Sequence, residues 1–117
     1  NAIQIAEIAE KLKPRIVLPG EVIFQKGDKA RSMFFIVSGE VVVERTETSI
    51  VLGEGEFFGE MGLLYAARRN AHVHSLTYAE PLCLESKDFY SILIKYPDIR
   101  KIIEDEATIR KKQNELD

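Results

Sequence analysis

Apolar positions along the chain change period twice, from helical to alternating and back to helical. Ile5, Ile8, Ala9 and Leu12 recur at helical spacing, which predicts a short amphipathic helix over residues 1 to about 13, closed by Pro14. From Ile16 to Glu85 the pattern becomes a series of short β-branched or aromatic runs: Arg15-Leu18, Val22-Gln25, Ser32-Ser38, Glu40-Arg45, Ser49-Leu52, Phe57-Phe58, Asn70-Ser75 and Pro81-Glu85. Pro19-Gly20, Gly27-Asp28, Gly39 and Gly53-Glu54-Gly55 punctuate most of them, and short strands at such spacing predict a β-barrel or double-sheet jelly roll. Within the fourth run Val41 and Val43 alternate with Glu40, Val42 and Glu44, so one face lies under the core and the other is only partly covered.

Helical spacing returns after the strands. Ser86 is placed to cap a helix carrying Phe89, Ile92, Leu93 and Tyr96, and Pro97 ends or bends it. A second helix starts at about Asp98, with Ile99, Ile102, Ile103 and Ala107 as its apolar stripe and Arg110 and Asn114 continuing that face. The fold class expected is therefore α+β: an antiparallel β-barrel or jelly roll of about eight strands, an N-terminal helix, a short helix between strands and two C-terminal helices. Residues 1–117 read as a single domain, divided into the helix of 1–13, the β-roll of 15–85 and the helices of 86–117. Beginning and ending in helical pattern, it has the look of a domain cut from something larger.

Composition narrows the function classes. At 117 residues, with 45% hydrophobic and 30% charged residues, the chain has the profile of a soluble globular domain with one core and one site. No apolar run approaches the roughly 18 residues that a membrane span needs, and the acids at Glu7 and Glu10 do not suit a signal peptide, so the chain reads as cytosolic. The single cysteine, Cys83, can form no internal disulfide and fits a small core position. A net charge of −3 and a basic cluster no longer than Arg110-Lys111-Lys112 argue against general nucleic-acid affinity. His72 and His74 share one face of a strand, but with two histidines in the chain a three-histidine metal site is excluded. A cupin-type barrel enzyme would want a glycine where Ala66 stands and a further histidine; exposed strand histidines are the better account. No nucleophile and base pair stands out, which points to a binding module and not an enzyme.

The chemistry concentrates in Phe58-Gly59-Glu60-Met61-Gly62-Leu63-Leu64 and the Arg68-Arg69-Asn70-Ala71 that follows. Glu60 and Arg69 lie in apolar company, where such residues are seldom buried without a partner. Gly59 and Gly62 lack a Cβ and admit close approach to the backbone, while residues Glu60 to Tyr65 can form one helical turn with donor amides at its start. Arg69, returning on the next strand, can supply full charge in a forked geometry. On this spacing two readings stand side by side: a Glu60–Arg69 salt bridge closing the loop, or a nucleotide site in which the arginine holds a phosphate and the carboxylate a sugar hydroxyl.

Phe58-Gly59-Glu60-Met61-Gly62-Leu63-Leu64 followed by Arg69-Asn70-Ala71-His72-Val73 resembles the phosphate-binding cassette of cyclic nucleotide-binding domains. Pro19-Gly20-Glu21-Val22-Ile23 with Gly27-Asp28, and Met33-Phe34-Phe35-Ile36-Val37-Ser38-Gly39-Glu40-Val41, resemble that family's first strands, so the likeness covers nearly all of residues 1 to 112. It implies cyclic AMP or cyclic GMP as regulatory ligand, with no metal. The backbone of Gly59 and Gly62 and the side chain of Arg69 would hold the cyclic phosphate, Glu60 would take the ribose 2′-hydroxyl, Val43, Ile50 and Leu52 would pack the purine, and Met61 would be among the ligand-binding residues. The last helix would be the lid, with Arg110 reaching back to the base. Asn70 departs from the small residue usual after the cassette arginine, so it bears on nucleotide preference. Arg68 before Arg69, and the Tyr96-Pro97 break, resemble the channel branch of the family. That branch implies the cytoplasmic gating domain of a plasma-membrane cation channel, with the channel's transmembrane region as partner and a homotetramer as the full-length form compatible with it. The sensory domain of a transcription regulator, a kinase regulatory subunit and a ligand-free interaction domain are the alternatives.

Overall fold

The computed structural model describes the backbone of residues 2–116 and the side chains of residues 2–113. The elements run α1 (Ala2–Lys11), β1 (Lys13–Pro14), β2 (Val22–Phe24), β3 (Ser32–Ser38), β4 (Val41–Glu44), β5 (Ser49–Leu52), β6 (Phe57–Phe58), α2 (Glu60–Leu64), β7 (His72–Ser75), β8 (Glu80–Glu85), α3 (Ser86–Lys95) and α4 (Pro97–Leu116). Two four-stranded antiparallel sheets, ordered β1-β8-β3-β6 and β2-β7-β4-β5, form the jelly-roll-like sandwich. Among the described residues no helix is long and apolar enough to cross a membrane.

β3 explains how two sheets and four helices share so small a chain. Its run Met33-Phe34-Phe35-Ile36 is apolar on both faces because both are covered. Met33 packs with Leu63, Leu84, Phe89, Ile92, Leu93, Tyr96 and Ile103 beneath the helices. Phe34 and Ile36 turn the other way, into the roll, against Val41, Leu52, Phe58 and Val73. Phe34 and Phe58 stack with ring centres 4.9 Å apart, fixing β6 and hence the start of α2.

Some expected boundaries move, each for a local reason. The strand read at Arg15-Leu18 is replaced by β1 at Lys13–Pro14 and an isolated bridge between Val17 and Ala79. The first helix stops at Lys11, before the proline. Ser86 does not cap α3; it is the first helical residue, and Glu85 stands at the cap with no side-chain bond to the helix. The Ser86 amide instead donates to the Arg31 carbonyl at 2.9 Å, and the Glu85 carboxylate is drawn away to Lys13 at 2.7 Å. Pro97 ends α3 and opens α4, a first-turn position where its missing N–H costs nothing. On α4 the buried stripe is Ile103 and Ala107 with Ile99 half-buried; Ile102 is 63% exposed, because only one side of the helix meets α2 and α3. The side chain of Asn114 lies outside the described residues.

Candidate ligand-binding site

The strand predicted over Asn70-Ser75 begins only at His72, so Arg69 and Asn70 sit on the loop that leads from α2 into β7. That loop, the start of α2, the β4–β5 pair and the C-terminal part of α4 surround one cavity. Its walls include every residue singled out from sequence: Val43, Ile50, Leu52, Gly59, Glu60, Met61, Gly62, Arg69, Asn70 and Arg110. Val43 is paired directly with Ile50, and Leu52 with Val41, so the apolar wall is built from facing positions of two neighbouring strands. Phe24, Arg45, Phe58, Ala71, Val73 and Gln113 also line it and were not anticipated. Arg45 was legible: it follows Val41 and Val43 at period two, on the same inward face.

Glu60 is 1% exposed and Arg69 6%. They do not form the loop-closing salt bridge left open by their spacing. Arg69 Nη1 donates to the Gly59 carbonyl at 2.7 Å and Nη2 to the Ser32 carbonyl at 2.6 Å. The guanidinium lies over the Phe24 ring, 4.0 Å from its centre. Two carbonyls and an aromatic face thus fix the orientation of a charge while neutralising none of it, and its buried Nε has no hydrogen-bond partner. Burial brings the Arg69 pKa down to about 10, against the pull of Asp28 and Glu60. Such a donor, charged and unmet, is suited to an anion.

Glu60 pairs instead with Arg110, 50 residues on: Nη1 donates to Oε1 at 2.8 Å. Burial pushes the Glu60 carboxyl above its ordinary value, and Arg110 pulls it back. Arg110 also donates through Nε to Glu106 at 3.2 Å and lies over the Phe57 ring at 5.0 Å. The arginine expected to reach a base therefore rests, in this structure, on the carboxylate expected to reach a sugar.

The two glycines serve different ends. Gly59 has φ 87° as it turns β6 into α2, and an added Cβ there would stand 3.0 Å from Arg69 Nη1. At Gly62 a Cβ would fall 2.5 Å from the Ala30 Cβ, so its small size seats α2 on the β2–β3 loop. Asn70 is exposed at the cavity's edge, Nδ2 3.8 Å from Met61 Sδ. His72 Nδ1 accepts from the Lys26 amide at 3.2 Å, while His74 is half-buried, not exposed, with Nδ1 3.6 Å from Glu44. Among the described residues no group of three or more His, Cys, Asp or Glu is placed to hold a metal ion. Cys83 is half-buried against the roll's interior.

Comparison with known proteins adds the family. The cyclic nucleotide-binding domain profile matches residues 14–96. The chain is 39% identical, over 107 residues, to a cyclic nucleotide-gated potassium channel of Rhizobium etli, covering 92% of this chain and 30% of that protein. It is 32% identical to the cone photoreceptor cyclic nucleotide-gated channel alpha subunit of Gallus gallus, covering 97% of this chain and 17% of that one. The chain thus spans less than a third of the curated relatives it matches. Among solved structures, the catabolite activator protein of Thermus thermophilus superposes with a TM-score of 0.87 at 24% identity, over 99% of this chain and 57% of that one, a likeness of fold.

Proposed function

The chain belongs to the cyclic nucleotide-binding domain family, a regulatory, non-catalytic module, and we propose that the cavity walled by Glu60, Arg69 and the β4–β5 pair binds a cyclic purine nucleotide. The observation that carries this reading is Arg69: buried, held in place by two carbonyls, with its buried Nε unmet. A cyclic phosphate carries one negative charge, enough to match one guanidinium. The start of α2, whose first amides have no partners within the helix, adds backbone donors from Gly59 through Gly62. Glu60 accepts the ribose 2′-hydroxyl, and Val43, Ile50 and Leu52 face the purine.

Occupancy is passed on through the helices. A ligand that takes the Glu60 carboxylate competes with Arg110, so binding and the present seat of α4 are linked at one atom pair. A ligand shifts a lid only if it favours one of its positions, and release of Arg110 to the bound base would supply that difference. Tyr90 Oη on α3 donates to the Leu63 carbonyl of α2 at 2.8 Å, a second link between the site and the C-terminal helices. The channel relatives support the further reading that this domain gates a cation channel, on the cytoplasmic side of a plasma-membrane protein.

Isothermal titration of the native domain with cyclic AMP, cyclic GMP and 5′-AMP tests the assignment. At least one cyclic nucleotide should bind with a stoichiometry of one, and the doubly charged 5′-AMP far more weakly. Equal binding of 5′-AMP, or no binding of either cyclic nucleotide, would overturn it.

A further inference from the structure

A second groove backs onto the cavity and shares Phe24 and Arg69 with it. Among the described residues, five of the chain's 16 lysines and arginines line this groove, Arg15, Lys29, Arg31, Arg68 and Arg69, against one of its 19 acids, Asp28. In a chain of net charge −3 the signs are therefore segregated here. Two of the five cations are engaged, Arg69 by its carbonyls and Arg15 by Glu21 at 3.4 Å. Lys29, Arg31 and Arg68 are exposed, and among the described residues their side chains have no hydrogen-bond or ion-pair partner. The Asp28 carboxylate accepts the Gln25 amide at 2.9 Å and so serves the turn of its own loop. Backbone bonds hold the three free cations together. Lys29 and Arg31 sit on the β2–β3 loop and Arg68 on the loop into β7, and these loops are tied where the Gly27 amide donates to the Arg69 carbonyl at 2.8 Å and the Arg69 amide to the Asp28 carbonyl at 2.9 Å. Like charges fixed in one groove repel one another, and a bound anion removes that cost. A surface that only keeps a domain soluble intersperses its signs.

We propose that this groove is a second anion site, separate from the nucleotide cavity, for a ligand that carries clustered phosphates. A guanidinium fork takes phosphate oxygens two at a time and an ammonium adds a point charge, so Arg31, Arg68 and Lys29 together match two neighbouring phosphates better than one. A free diphosphate offers that chemistry, and so do the phosphate headgroups of a lipid surface. The inference does not depend on what fills the cavity.

Isothermal titration with inorganic pyrophosphate, on the native domain and on Arg31→Gln/Arg68→Gln, tests it beside flotation with phosphatidylcholine vesicles made with and without phosphatidic acid. The native domain should bind pyrophosphate with an affinity that falls as salt is raised. The double variant, whose two changed side chains are exposed, should bind it about tenfold more weakly or worse. In the native protein, whatever the variant's folding, pyrophosphate should shift the backbone amide NMR signals of residues 27–31 and of Arg68 and leave those of Val43 and Ile50 in place. Pyrophosphate binding without flotation upholds the site and makes its ligand a free phosphate compound. Flotation that needs phosphatidic acid and is lost in the variant upholds it and makes the ligand a lipid surface. If the native domain binds neither, if the double variant binds as the native domain does, or if the shifts fall on Val43 and Ile50 instead, the inference is overturned and the nucleotide assignment is untouched.

Discussion

Removing Arg110 should destabilise the fold by an amount that depends on pH, because its partner is a carboxylate buried to 1% exposure. Arg110→Leu deletes three interactions: the 2.8 Å charge-assisted bond to Glu60, the contact over Phe57 and the partly exposed pair with Glu106. The first is worth about 1.5–3 kcal/mol, the second about 0.5–1 and the third a few tenths, for a total of roughly 2–4 kcal/mol. Burial already holds Glu60 above its unfolded pKa, so proton uptake favours the fold in acid and that stabilisation is lost as pH rises through the folded pKa. Without Arg110 the carboxyl rises further, and protonation then relieves the stranded charge. Urea melts should show the full deficit at about pH 8 and a smaller one at about pH 5. In a Glu60→Gln background the deficit should fall to about 1 kcal/mol, since only the Phe57 and Glu106 contacts are then lost. A deficit that is the same at both pH values, or unchanged by Glu60→Gln, would refute the ion pair as the latch of α4.

Further outcomes follow from the same geometry. Replacing the ribose 2′-hydroxyl with hydrogen should weaken binding of the nucleotide by about 1.5–3 kcal/mol, and Glu60→Ala should erase the difference between ribose and 2′-deoxyribose forms in a titration. Affinity should fall in acid as Glu60 takes up its proton, beginning above the pH at which an unperturbed glutamate titrates, measurable by repeating the titration across pH. Gly62→Ala should cost about 1–3 kcal/mol in a thermal or urea melt, because its Cβ would stand 2.5 Å from that of Ala30, and Ala30→Gly should restore most of it. Phe89→Ala, emptying a fully buried position beneath the helices, should cost about 3–5 kcal/mol in the same melt.

Periodicity found the jelly roll because every strand except the exposed β1 packs at least one face, and its hydrophobic alternation follows from that. It misplaced features decided by partners far away in sequence. Ser86 has the chemistry of a cap, but its amide is satisfied by Arg31 and the helix begins one residue earlier than a serine cap would require. Ile102 fits the helical stripe by spacing and is exposed, since spacing does not say how wide a face the neighbours cover. At the site, the cassette stood out as charge in apolar company, yet bare spacing left a salt bridge and an anion seat both open. What separates them is the pair of carbonyls on Arg69 and the long-range partner of Glu60, neither of which leaves a local signal. Arg45 did leave one, in the alternation of its strand.

The most direct test of the account is the affinity of cyclic AMP and cyclic GMP for the native domain and for Arg69→Gln, titrated side by side. Loss of the charge from the buried anchor should weaken whichever nucleotide binds by about ten- to a hundredfold, with the fold intact by circular dichroism. If Arg69→Gln binds both nucleotides as tightly as the native domain does, the phosphate is held elsewhere and the site has been misassigned.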